Sequence, residues 1–76
     1  MVYELLDTDG FNLVGAFDSE LEALEELRAL VLVNGFDYVR TIALVTSDAD
    51  GKVQVIATGL DLAQRADIHE FVAVSS

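Results

Sequence analysis

The hydrophobic and polar positions of this chain change period along its length. From Asp18 to Gly35, DSELEALEELRALVLVNG, the apolar residues Leu21, Leu24, Leu27 and Val31 recur at spacings of three and four. Ala23 and Leu30 widen that stripe, and Glu22, Glu25, Glu26 and Ala29 take the opposite side. This is the period of an amphipathic helix, and both of its ends are marked. Asp18 and Ser19 carry short side-chain oxygens suited to an N-cap, and with Ser19 as cap Glu22 completes a capping box. Glu20, Glu22, Glu25 and Glu26 place negative charge near the positive end of the helix dipole. Asn34-Gly35 supplies a residue able to turn left-handed and stop the helix. About 16 residues make a rod of roughly 24 Å, long enough to lie across three or four strands.

On either side of the helix the pattern is that of a β-hairpin. Val2 to Asp7 (VYELLD) is rich in strand formers and closes on Asp7-Thr8-Asp9-Gly10, after which Phe11 to Phe17 (FNLVGAF) returns. A type I′ turn at Asp9-Gly10 pairs Leu6 with Leu13 and Leu5 with Val14, on opposite faces of the sheet. Tyr38 to Ser47 (YVRTIALVTS) and Lys52 to Thr58 (KVQVIAT) flank a second Asp-Gly turn at Asp48-Ala49-Asp50-Gly51. The two-residue register there sets Leu44 against Ala57 and Thr46 against Val55, with Val45 and Ile56 on the other face. Asp-x-Asp-Gly, the valine four residues later and the alanine two beyond it recur at an offset of 41 residues, as a duplicated ββα unit would. The chain after Gly59 reads as a short helix from about Leu60 to Ala66, capped by Thr58 or Asp61. A fifth strand over Ile68 to Val74 is the other reading of the tail. The expected fold is α+β, ββαββ(α): a four-stranded, largely antiparallel sheet with one long helix on one face and a short C-terminal helix. A right-handed crossover through the long helix makes the second and third strands parallel. With no proline and no low-complexity linker, residues 1–76 read as a single small domain.

The faces of the two hairpins raise a question of burial. Large apolar groups occupy odd positions of the first two strands (Tyr3, Leu5, Phe11, Leu13, Phe17) and even ones (Val2, Leu6, Val14, Ala16). A sheet with one solvated face alternates apolar with polar, and this one does not. One helix covers one side, so the other side calls for the C-terminal tail or a second subunit. Leu30 to Val33, four consecutive apolar residues, add apolar surface off the main helical stripe. The expectation is a homodimer.

Charge and composition narrow the remaining classes. Fourteen acids stand against Arg28, Arg40, Lys52 and Arg65, a net charge of −10. Phosphate backbones are held by clustered cations, so nucleic acid is not an expected partner. A hydrophobic fraction of 53% is too high for a disordered acidic chain. The absence of cysteine leaves no disulfide, thiolate metal site or thiol nucleophile. No apolar run approaches the ~18 residues of a membrane span, and MVYELLDTD lacks the features of a signal peptide, so the expectation is a cytoplasmic protein without membrane contact.

Candidate chemistry is sparse. Asp7-x-Asp9-Gly10 and Asp48-x-Asp50-Gly51 look like the start of a calcium loop. Aligning either glycine to the loop's sixth position puts Ala16 or Ala57 where the bidentate acid belongs, so both read as hairpin turns. His69 is the lone histidine; with no visible pocket or orienting partner it reads as a surface or interface residue. Ser47, Ser75 and Ser76 lack a nucleophile elbow, and no glycine-rich strand-to-helix turn cradles a phosphate. Gly15 reads as the mark of a bulge or of close packing. No catalytic, metal-binding or cofactor-binding residue is assigned and no cofactor is expected; the chain does not read as an enzyme.

Leu13-Val14-Gly15-Ala16-Phe17-Asp18-Ser19-Glu20, then Glu22-Ala23-Leu24, Ala43-Leu44-Val45, Asp50-Gly51 and Ile56-Ala57-x-Gly59 form a pattern that resembles one in short uncharacterised bacterial proteins built as hairpin–helix–hairpin. The resemblance covers about residues 3 to 60 and rests on turn and cap residues. It implies no activity, ligand or functional residue. The functional expectation is a small acidic interaction or regulatory module acting as a homodimer, whose helix carboxylates Glu22, Glu25 and Glu26 dock a basic protein. The alternative is a small-ligand binding protein with a site between sheet and helix or at the dimer seam.

Overall fold

The order of elements is β1 (Val2–Asp7), β2 (Asn12–Phe17), α1 (Glu20–Asn34), a 3-10 helix (Phe36–Thr41), β3 (Ile42–Ser47), β4 (Val53–Thr58) and α2 (Gly59–Arg65). The structure, a computed structural model, describes residues 2–68. The sheet has the order β2-β1-β3-β4, and every neighbouring pair is antiparallel. The hairpins meet through their first strands, with Leu5 opposite Leu44 and Glu4 opposite Val45. β2 and β3 therefore run parallel, as the crossover argument requires, but β1 lies between them. β3 is the most enclosed strand: Ile42, Ala43, Leu44, Val45 and Thr46 are all buried. Its near-continuous apolar run is what a strand buried on both faces needs.

Both helices pack on one face of the sheet. α1 lies over β1 and β2, and α2 over β3 and β4. Leu5, Ile42 and Leu44 from the sheet meet Ala23, Leu24, Leu27 and Val31 from α1 and Leu62, Ala63 and Ala66 from α2 in one cluster. The short C-terminal helix is thus half of the cover and not an accessory. Ser19 caps α1 as its sequence indicates, its hydroxyl accepting from the Glu22 amide at 3.2 Å. Gly35, at φ +94°, ends the helix and donates to the Val31 carbonyl at 2.7 Å. Leu21 departs from expectation: it is exposed, because the buried stripe runs through Ala23, Leu24, Leu27 and Val31.

The hairpins differ from the sequence expectation in their turns. In the first, Asp7 pairs with Asn12, so the loop is Thr8 to Phe11 and the positive φ falls on Phe11 (+55°), not on Asp9 and Gly10. The Thr8 amide and hydroxyl both donate to the Thr41 carbonyl, at 2.7 and 2.9 Å, and hold the wider loop against the end of the 3-10 helix. Leu6 does oppose Leu13, but Leu5 opposes Gly15, because Val14 is an extra residue that bulges β2. The bulge sends Leu13 and Phe17 to opposite faces, so the odd positions of β2 do not share a side. In the second hairpin the loop is Ala49-Asp50-Gly51, with Asp48 and Lys52 joined and Gly51 at φ +81°. Leu44 opposes Ala57 as expected, while Thr46 opposes Gln54 and Val45 opposes Val55, with Ile56 as the extra residue.

The stretch expected to begin β3 at Tyr38 is helical up to Thr41. Local bonds hold it there: Asp37 and Arg40 form an i,i+3 ion pair at 3.0 Å, and the Thr41 hydroxyl donates to the Tyr38 carbonyl at 3.2 Å. Val39 fills the core from this turn. β2 and β4 match under the 41-residue offset, Asn12–Phe17 against Val53–Thr58, but the loops and bulges do not coincide. α2 forms where expected, with Thr58 in the cap position. Ile68 packs against the core, while the rest of the alternative fifth strand and His69 lie outside the described residues.

Candidate interaction surfaces

Strand alternation sends Leu5, Leu44 and Ile42 toward the helices and the neighbouring positions to the other side. That outer face carries Val2, Leu6, Leu13, Ala16, Ala43, Val45, Val53 and Val55, with Ser47 and Thr58 at its margin. Among the described residues no element packs over it. Ala43 and Val45 on the central strand are buried, but Val2, Leu13, Val53 and Val55 are 45, 56, 62 and 63% exposed. Glu4 is the one charged strand residue on this side, beside Val45 and Ala16 at the middle of the sheet. The sequence expectation of two apolar faces is therefore met, although the residues composing each face are rearranged by the bulges.

The sheet's edges are β2 and β4, and each contains its hairpin's extra residue, Val14 and Ile56. A bulge interrupts the regular row of backbone donors and acceptors that an added strand needs. Both edges are thus poor templates for edge-to-edge pairing.

The acidic groups lie elsewhere. Glu22, Glu25 and Glu26 are exposed on the side of α1 away from the core, and among the described residues none of the three is paired with a cation. Glu20 is different: its carboxylate accepts from Arg65 at 2.6 and 3.3 Å and joins α1 to α2. That hydrogen bond first, and the charge attraction second, raise the Arg65 pKa above its ordinary value. Arg40 is engaged with Asp37 and lies 5.9 Å over the Phe36 ring. Near the C-terminal end of α1 the apolar residues off the main stripe are open to solvent, with Leu32 88% and Val33 83% exposed.

Beside them is an open groove of about 450 Å³ lined by Val31, Leu32, Phe36 and Ile68 together with two residues of opposite charge, Arg28 and Asp67. It lies where α1, the 3-10 helix and the end of α2 converge, not between sheet and helix as the ligand-binding alternative expects. Sequence reading missed it, since Arg28, Phe36 and Ile68 belong to three separate segments. The Asp-x-Asp-Gly motifs are turns. Asp7 accepts from the Asp9 amide at 3.0 Å, and Asp48 from the amides of Asp50 and Lys52 at 3.0 and 2.9 Å. The first aspartate of each motif so spends an oxygen on its own loop, the local bonding that makes this residue favourable there.

Among the described residues no helix is long and apolar enough to cross a membrane. The resemblance to bacterial hairpin–helix–hairpin chains rests on its turn and cap residues alone: comparison with protein-family models, curated proteins and solved structures finds no match to this chain.

Proposed function

We propose that this chain is a small acidic interaction module of the cytoplasm, acting as a homodimer that docks a basic protein on α1. The observation that carries the reading is the segregation of its surface. Unpaired carboxylates of Glu22, Glu25 and Glu26 crowd one helix face, and the opposite face of the molecule is apolar and uncovered among the described residues. A charged strip of one sign steers and orients an oppositely charged partner, while an apolar face supplies association by burial. The three carboxylates act together as an anionic docking strip, with Val33 extending it by an apolar contact about two turns beyond Glu26. No reaction is assigned to the chain.

The test is co-purification of the full chain at low and high salt, alongside the triple variant Glu22→Gln, Glu25→Gln, Glu26→Gln. The expected outcome is a basic polypeptide that stays bound at low salt, leaves at high salt and is lost from the triple variant. A partner that the triple variant retains unchanged would place docking off this strip.

The groove beside Arg28 favours a second reading, a site for a small apolar ligand, since Val31, Leu32, Phe36 and Ile68 line an open cleft whose two charged residues, Arg28 and Asp67, are of opposite sign. An alkyl alcohol such as decanol is then expected to raise the melting temperature of the wild type and not of Leu32→Lys. Equal shifts in the two proteins would remove that reading.

A further inference from the structure

From the uncovered sheet face we infer that the second copy of the chain seats on the outer face of β2-β1-β3-β4, with Glu4 inside the interface as the group that limits its affinity. This rests on the homodimer reading and assigns its surface. Three observations select the face. The first is charge. Asp7, Asp9, Asp48 and Asp50 lie at the hairpin loops, and Glu22, Glu25 and Glu26 on α1, so most of the surface repels a copy of itself. The outer face has eight apolar strand residues and one acid, and among the described residues it is the broad surface that two copies of this acidic chain can bring together.

The second is the state of the edges. The bulges at Val14 and Ile56 disfavour joining two sheets side by side, which leaves face-to-face packing as the way to bury the open valines. The third is size. Four strands at ~4.8 Å and six residues at ~3.3 Å make a face of roughly 400 Å² in projection. Apolar patches of about 300–600 Å² are the largest on typical monomers and are often functional. Two such faces, with side-chain relief added, bury on the order of 1,000 Å², the lower end of specific interfaces. An interface of that size belongs with weak or transient associations.

Glu4 sets its strength. It sits opposite Val45 near the midpoint of the central strand pair, so any two-fold packing of the faces encloses it. Its neighbours across the strands are Ala16 and Val45, and along its own strand Val2 and Leu6. No strand position around it on this face presents a cation or a second titratable group, and both helices pack on the other side. An ionised carboxylate moved from water into such surroundings opposes association, while the protonated acid does so far less. Association is accordingly coupled to proton uptake at Glu4 and tightens as pH falls.

Sedimentation equilibrium over a micromolar concentration series tests this on the full chain at about pH 7.5 and about pH 5, either side of the range where a buried carboxyl titrates. Glu4→Gln is expected to tighten the dimer by about tenfold or more at the higher pH and to remove most of the pH dependence. Glu25→Gln makes the same change in net charge away from the face. It is expected to shift the constant by no more than about threefold and to keep the pH dependence, because exposed charges are screened. Val55→Lys and Leu13→Lys are expected to leave a folded monomer. Equal effects of Glu4→Gln and Glu25→Gln would overturn the role of Glu4. A dimer that survives Val55→Lys and Leu13→Lys but is dispersed by Leu32→Lys would move the interface to α1 and leave the homodimer reading standing. Wild type and Glu4→Gln both monomeric throughout would remove the homodimer itself. Dimerisation appearing only on removal of residues 69–76 would assign the face to the chain's own C-terminal segment.

Discussion

Phe11 is an unusual residue for its place. Its φ of +55° lies in the left-handed region, which bulky side chains adopt at a cost, and its ring is 90% exposed, so no packing offsets that cost. Phe11→Gly is expected to stabilise the fold by about 0.5–1 kcal/mol, the relieved strain being partly cancelled by the extra freedom of glycine in the unfolded chain. A shift of the denaturation midpoint at unchanged slope measures it; a lower midpoint would show that the ring makes a stabilising contact. Nothing in FNLVGAF forecasts this conformation, because Asp9-Gly10 is the stronger local turn signal. The loop is wider by one residue on each side because Thr8 bonds to the Thr41 carbonyl, a partner 33 residues away. Gly15, by contrast, is legible at the residue level. It follows the bulged Val14, and a Cβ there would lie 2.8 Å from the Phe17 ring.

At the scale of elements, α1 shows how far local chemistry reaches. Its cap, its acidic first turn and its glycine stop all lie within the helix's own sequence, and each forms as the residues dictate. Ser19→Ala removes the hydroxyl that accepts from the Glu22 amide and is expected to cost about 1 kcal/mol, read as a lower midpoint in urea. No change would mean that another group takes over the cap. The 3-10 helix is the element that hydropathy misplaces. Tyr38 to Thr41 continues the β-branched, apolar run of β3, but Asp37 with Arg40 and Thr41 with Tyr38 satisfy one another at helical spacing. Period-two apolar character and i,i+3 polar pairing compete there, and burial of Val39 sides with the turn. The acidic residues were legible too, yet their roles divide by position. Glu20 meets Arg65 on α2, and Glu22, Glu25 and Glu26 face outward.

For the whole molecule, the defining property among the described residues is one covered and one uncovered sheet face. A chain of this length buries only about 60–65% of its unfolded surface, so association that encloses the second face adds stability the monomer lacks. The melting temperature is then expected to rise with protein concentration, since anything that binds only the folded state stabilises it by mass action. Calorimetry across a hundredfold dilution checks this, and a melting temperature independent of concentration would count against the dimer. In Val55→Lys the dependence is expected to vanish.

The sequence by itself determined the elements whose signals are local: the capped helix from Glu20 to Asn34, two hairpins, the short helix after Thr58, and an excess of apolar residues for a single covered face. Strand order, register and the grouping of residues into surfaces were decided by tertiary structure. β1 sits between β2 and β3 because two first strands pair across 40 residues of chain, which no short-range pattern encodes. A one-residue bulge in each edge strand reverses which side chains share a face, and no local pattern in β4 marks its extra residue, Ile56. Glu4 is one acid in VYELL when read along the chain. Among the described residues it becomes the lone charge of an apolar face only when four strands from two hairpins are laid side by side.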